Sequence, residues 1–288
     1  MFHNGFTAVW LPVSGNYKTQ KSTDMEPESG KEILGLIKQT PQILTMIYSD
    51  AAQPSVKKLG QALETVFEFS SSFLLPIKLL NEKFKINFEK RLEDYRKKIE
   101  EIPDDKLCDV NPQIGTPIIE KLSYTTNDEI ADLFTTLLSK ASNIDTVNQA
   151  HPSFVQIIER LSVDEARIVL FLKDQEFIPY VSFRAHLKDN KGYNSIREKV
   201  TLITSQLSLE FPNNIDVYME NLCSLGLLID MDGTYKTDEE IYKPIIESYN
   251  FDQLNEMYKS VGYDQVKTNK SYYQISNLGK LFITAVKK

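Results

Sequence analysis

Side chains able to do acid–base, nucleophilic or metal chemistry are few and scattered in this sequence. Histidine occurs as His3, His151 and His186, and cysteine as Cys108 and Cys223. A catalytic metal needs convergent ligands, usually visible as histidines or cysteines at short fixed spacings. No HExxH, no His-x-His and no close cysteine pair occurs, so no metal site is expected. Neither cysteine has the sequence context of an activated thiolate, and two are too few for a disulfide framework. A reducing cytoplasm suits them. The eleven glycines are dispersed from Gly5 to Gly279 and build neither a phosphate-cradling loop nor a dinucleotide fingerprint. No Gly-x-Ser-x-Gly elbow is present. The residues thus point to no catalytic centre and no cofactor.

Two places still merit a chemical reading. His151 precedes Pro152 and could shuttle a proton or sense pH, while the bland alternative is a ring that satisfies free backbone groups at a helix start. Asp164-Glu165 could be paired catalytic carboxylates; a helix start favours negative charge anyway, because its dipole is positive there. The structural reading is preferred at both.

The elements that would carry these residues are mostly helices. Residues 1–30 lack periodicity and read as a flexible arm with a sticky Phe6, Val9, Trp10 and Leu11. From Lys31 the spacing turns helical, with a restart after Pro41. A long apolar stripe over 55–80 includes Leu59, Leu63, Val66, Phe67, Phe73, Leu74 and Ile77, and Pro76 predicts a break. Its longest uncharged stretch, Phe69 to Ile77, is far short of the roughly 20 residues that span a bilayer. Packing in the core is the first expectation for this stripe; Phe67, Phe69, Phe73, Leu74 and Ile77 form the candidate surface for a protein partner or a membrane face. Residues 81–101 interleave seven basic and six acidic side chains, as a solvated helix does.

Three capping boxes follow, Thr126 with Glu129, Ser162 with Glu165, and Thr237 with Glu240, each able to satisfy two free amides at a helix start. Beyond residue 176 the pattern becomes helix (215–224), strand (227–230), helical insertion (237–262), strand (271–275) and helix (280–286). That is the order of a winged helix-turn-helix. Its candidate recognition helix carries Asp216 and Glu220 and no Lys or Arg, and 201–288 holds eight Lys against twelve Asp and Glu, a balance that phosphates would repel. The whole chain of 288 residues is also acidic, at net −7, so nucleic acid is the less favoured partner.

Several blocks together resemble the bacterial Abi-alpha family, named for abortive infection against bacteriophage. They are Gln53-Pro54 with Val56 to Leu63, the step Leu74-Leu75-Pro76-Ile77, Ile102-Pro103 with Asn111-Pro112, and the most specific one, His151-Pro152-Ser153-Phe154 through Leu161-Ser162-Val163-Asp164-Glu165-Ala166. His151, Pro152, Phe154, Ser162, Asp164 and Glu165 are therefore the motif residues. The resemblance implies a cytoplasmic, mostly helical defence protein, with the inner membrane as a peripheral surface, and transfers no catalytic residue. The architecture expected is mainly α: an arm (1–30), a multi-helix domain (31–175) and a winged-helix-like α+β module with a small β-hairpin (176–288). The function expected is a non-enzymatic component of antiphage defence acting through contact with a protein partner, self-association or a membrane surface, with a winged-helix DNA-binding regulator as the alternative.

Overall fold

A computed structural model describes residues 54–70 and 81–287. The arm over 1–30, the helices expected over 31–48 and the break at Pro76 lie outside the described residues.

Among the described residues the first six helices are α1 (Pro54–Ser70), α2 (Glu82–Glu100), α3 (Pro112–Leu122), α4 (Asp128–Ala141), α5 (Ser153–Glu159) and α6 (Val163–Phe171). Spacing of three and four sets their inward faces. Leu59, Ala62, Leu63 and Val66 of α1 are at most 1% exposed, and α1 packs on α2 and α3 while α2 lies along α4. Asparagine caps three of these helices, with Asn81 accepting from Lys83 N, Asn111 from Gln113 N and Asn127 from Ile130 N. The cap of α4 is thus Asn127, one residue beyond the expected Thr126. Glu129 is free of capping duty because it pairs with Arg167 instead. The box of Ser162 with Glu165 forms in full at α6. At the third position Asp238, not Thr237, accepts from the Glu240 amide and opens a short 3-10 turn.

After α6 come β1 (Phe177–His186), β2 (Tyr193–Val200), α7 (Ile203–Gln206), α8 (Ile215–Ser224), β3 (Leu228–Asp230), α9 (Lys243–Ser248), α10 (Phe251–Ser260), β4 (Gln265–Ile275) and α11 (Asn277–Val286). The fold is helix-rich α+β. In place of a small hairpin the chain builds a four-stranded antiparallel sheet, order β2-β1-β4-β3. The terminal strand β4 is central and pairs with β1 along its length, from Phe177 opposite Gln274 to His186 opposite Gln265.

Alternation along these strands feeds two cores, because successive side chains face opposite ways. Ile178, Tyr180, Tyr273 and Ile275 join the main core, which runs from Leu59 of α1 to Val286 of α11. Val181, Phe183, Ala185 and Val266 face the other way and meet Tyr242 and Ile245, with Phe251 and Leu254 of α10 half-buried beside them. The expected helical insertion is this cover for the second face. The sheet also curls. Lys199 of β2 and Asp230 of β3 sit on opposite edges, which flat strands would hold about 14 Å apart, yet Nζ meets the carboxylate at 2.5 Å. Register shifts in β1 against β2, and a left-handed Lys199 (φ 51) whose amide donates to Ser182 Oγ at 3.0 Å, supply the bend, as bulges do.

Candidate functional site

The motif residues converge where the helices meet the sheet-bearing half of the chain. Asp164 stands in the first turn of α6 and is only 2% exposed. Its Oδ1 accepts the Glu210 amide at 2.7 Å, and its Oδ2 accepts the Phe211 amide at 2.8 Å and the Tyr218 hydroxyl of α8 at 3.0 Å. Arg167, one turn on, approaches Oδ1 at 3.5 Å. Burial opposes the Asp164 charge, but these donors outweigh it and hold the carboxyl below the usual aspartate range. Glu165 accepts the Ser162 amide at 2.6 Å and the Asn221 amide group of α8 at 2.7 Å. Arg167 completes the clamp by donating through Nε and Nη2 to Glu129 of α4, and through Nη1 to the Ser208 carbonyl at 3.0 Å.

The remaining motif residues serve the same junction. Phe154 is 1% exposed and meets Phe282 of α11 edge-on, centroids 5.4 Å apart. His151 stays exposed; its Nδ1 accepts the Ser153 amide at 3.1 Å and bonds the Ser153 hydroxyl at 2.7 Å. Pro152 is the N-cap residue of α5. Asp164 and Glu165 therefore have their oxygens occupied by donors of the fold, and His151 occupies itself with the start of α5. The sequence spacing located α6 and its box; it carried no signal for Glu129, Glu210, Tyr218 or Asn221, which reach the clamp only through tertiary folding.

The stripe on α1 is placed only in part. Phe67 is 8% exposed and belongs to the main core. Phe69 lies within α1, and Phe73, Leu74 and Ile77 fall outside the described residues. Among the described residues no helix is long and apolar enough to cross a membrane, and no group of His, Cys, Asp and Glu is arranged to hold a metal ion.

Two concavities lie on the helical side. Between α2 and α4 a polar groove of about 940 Å³ is lined by both signs of charge. Its Arg91 is 1% exposed, donates to the Thr125 and Thr126 carbonyls and pairs with Asp128 at 2.7 Å, which also pairs with Lys90. Lys98 pairs with Asp132. Lys90, Arg91 and Lys98 are thus paired in place, while Lys97 and Lys140 also line the groove. The second concavity, of about 560 Å³, lies between the C-terminal end of α4, the turn after α6, and α11. Both thiols are free, and burial pushes each of them up, away from the thiolate form.

Comparison with known proteins gives two matches. A family model described as abortive infection alpha matches residues 83–286. A solved structure, titled as that of an uncharacterized protein from the hydrocarbon-degrading marine bacterium Alcanivorax borkumensis SK2, is similar at 17% identity with a TM-score of 0.30, over 46% of this chain and 90% of that one. No curated protein matches the chain.

Proposed function

The chain belongs to the abortive infection alpha family, and from that membership we infer that it serves abortive-infection-type defence against bacteriophage. The match over 83–286 is the observation that carries this reading. Within it, the chain acts as a binding component in the cytoplasm and not as a catalyst. Support comes from Asp164 and Glu165, whose carboxylates are spent on joining α6 to α8 and the turn before it, and from two free thiols, which suit a reducing compartment.

The surface favoured for a protein partner is α8 with the turn before it. Phe211 and Val217 are each 62% exposed, beside Asp216 and Glu220, which are also exposed. Apolar side chains rimmed by acids fit a protein surface better than a phosphate backbone. Contact with a partner or a membrane surface through Phe69, Phe73, Leu74 and Ile77 is the variant of this reading. The DNA-binding regulator is the second reading; the order α8, β3, helical insertion, β4, α11 favours it as a winged-helix order, and the charge of α8 opposes it.

Phage plaquing and host growth, with the intact gene against an empty vector over a panel of phages, test the defence role. Fewer plaques with arrest of infected cells is the expected result; unchanged plaquing on every phage overturns it. Two variants that keep their circular dichroism locate the surface. Loss of protection by Phe211→Asp with Val217→Asp supports α8, and loss by Phe73→Asp with Leu74→Asp supports the stripe.

A further inference from the structure

The concavity beside α11 is lined by four lysines that form no ion pair among the described residues. Lys140 comes from the last turn of α4, Lys173 from the 3-10 turn after α6, Lys280 from α11 and Lys287 from its C-terminal cap. Positions 280, 284 and 287 are four and three apart, which sets both lysines and Thr284 on one helix face. None of the four lysines has an ion-pair partner among the described residues, whereas Lys90, Lys98, Lys106, Lys121 and Lys199 all do. Asp174 and Glu176 also line the space, leaving an excess of two positive charges in a protein of net charge −7. Ammonium groups that line one concavity repel one another, and an anion between them relieves that repulsion.

The floor is apolar. Leu172, Ile275 and Ile283 edge into the space from the main core, and about 560 Å³ is within the ordinary range of small-molecule sites. Lysine suits phosphate as a strong point charge, where planar carboxylate recognition favours arginine. Four cations call for several negative charges on one ligand, and the apolar floor calls for a flat or apolar body beside them. We propose that this concavity binds a nucleoside di- or triphosphate, its phosphates on Lys140, Lys173, Lys280 and Lys287 and its base against Leu172, Ile275 and Ile283. The side chains take the place of the glycine-rich loop that the sequence lacks. The site goes beyond the defence reading and is tested without phage, so either can fail alone.

The test is a titration of the purified full chain with a fluorescent ATP analogue, followed by competition with unlabelled ATP, inorganic pyrophosphate and vesicles of anionic lipid. Saturable binding displaced by ATP, weakened at least about tenfold by Lys280→Glu with Lys287→Glu and falling with added salt, is the expected result. Among the described residues only the backbone of Lys280 and Lys287 bonds within the fold, so circular dichroism of the variant should match the parent. Lysine dependence together with weaker competition by pyrophosphate supports a nucleoside ligand. Equal displacement by pyrophosphate removes the base from the proposal, displacement by vesicles alone makes the ligand a lipid headgroup, and no saturable binding, or binding indifferent to the lysines, overturns the site.

Discussion

Asp164 shows how a carboxylate pair that looks catalytic in sequence becomes a fastener. Four donors from two separate stretches of chain surround it, and removing a buried charge that has been satisfied this way leaves those donors empty. Asp164→Ala should lower the unfolding free energy by about 2–4 kcal/mol, read from urea titrations. The pH dependence has a definite sign. Folding lowers the Asp164 pKa, so its contribution is full above the unfolded value of about 3.9 and fades as pH falls through the lower folded value. The stability gap between the parent and Asp164→Asn should accordingly be constant near neutrality and close below about pH 4. A gap that persists at pH 2 would mean that packing, and not charge, holds α6 to α8. His151, by contrast, is exposed and bonded only to Ser153, and His151→Asn should leave stability within about 1 kcal/mol.

Close approach between elements is tested at two glycines. A Cβ at Gly115 in α3 would fall 2.3 Å from Val66 Cγ2 of α1, and one at Gly279 in α11 would fall 2.3 Å from the Leu227 carbonyl oxygen. Alanine at either site should destabilise by about 1–3 kcal/mol through overpacking, more than the ~1 kcal/mol of helix propensity it gains. Gly60 in α1 has nothing within 4 Å of such a Cβ, and Gly60→Ala should stabilise by about 0.5–1 kcal/mol. Thermal melts of the three variants check all of this. Helices were legible in the sequence where a local signal fixed them. The apolar spacing of α1, the Ser162–Glu165 box and the extent of α8 needed only neighbours in the chain, while α11 begins at Asn277, three residues before the expected Lys280, because Ser276 caps it. Caps slipped where a second candidate stood one residue away, as Asn127 does after Thr126. The hairpin of β1 and β2 escaped notice for a different reason. β2 is an edge strand with no buried residue, so it lacks a clear alternation, and β1 is buried on both faces with Pro179 within it. Its second face is apolar only because α9 and α10 come back over it, which no local pattern announces. The clamp partners were illegible for the same cause, being joined across 38 to 56 residues of chain.

At the scale of the whole molecule, the two cores differ in depth. The main core gathers α1 to α6, α8 and α11 with one sheet face, while the second rests on α9 and α10, and no residue of α10 is fully buried. Hydrogen exchange should therefore find the amides of 243–260 opening first and those of α4 and β4 last; uniform protection across both would show that the cores melt as one unit. The central place of β4 has a consequence for how the protein is made. On the ribosome, β1 and β2 emerge well before the strand that will separate β1 from β3, and at about 5–20 residues per second the wait lasts several seconds. A lone hairpin is marginal in water, so Phe183 and Val181 have no lasting shelter until β4 emerges. The nascent chain depends on that late strand, or on a chaperone standing in for it, and a message cut short before residue 265 would deliver an open sheet edge to the cell.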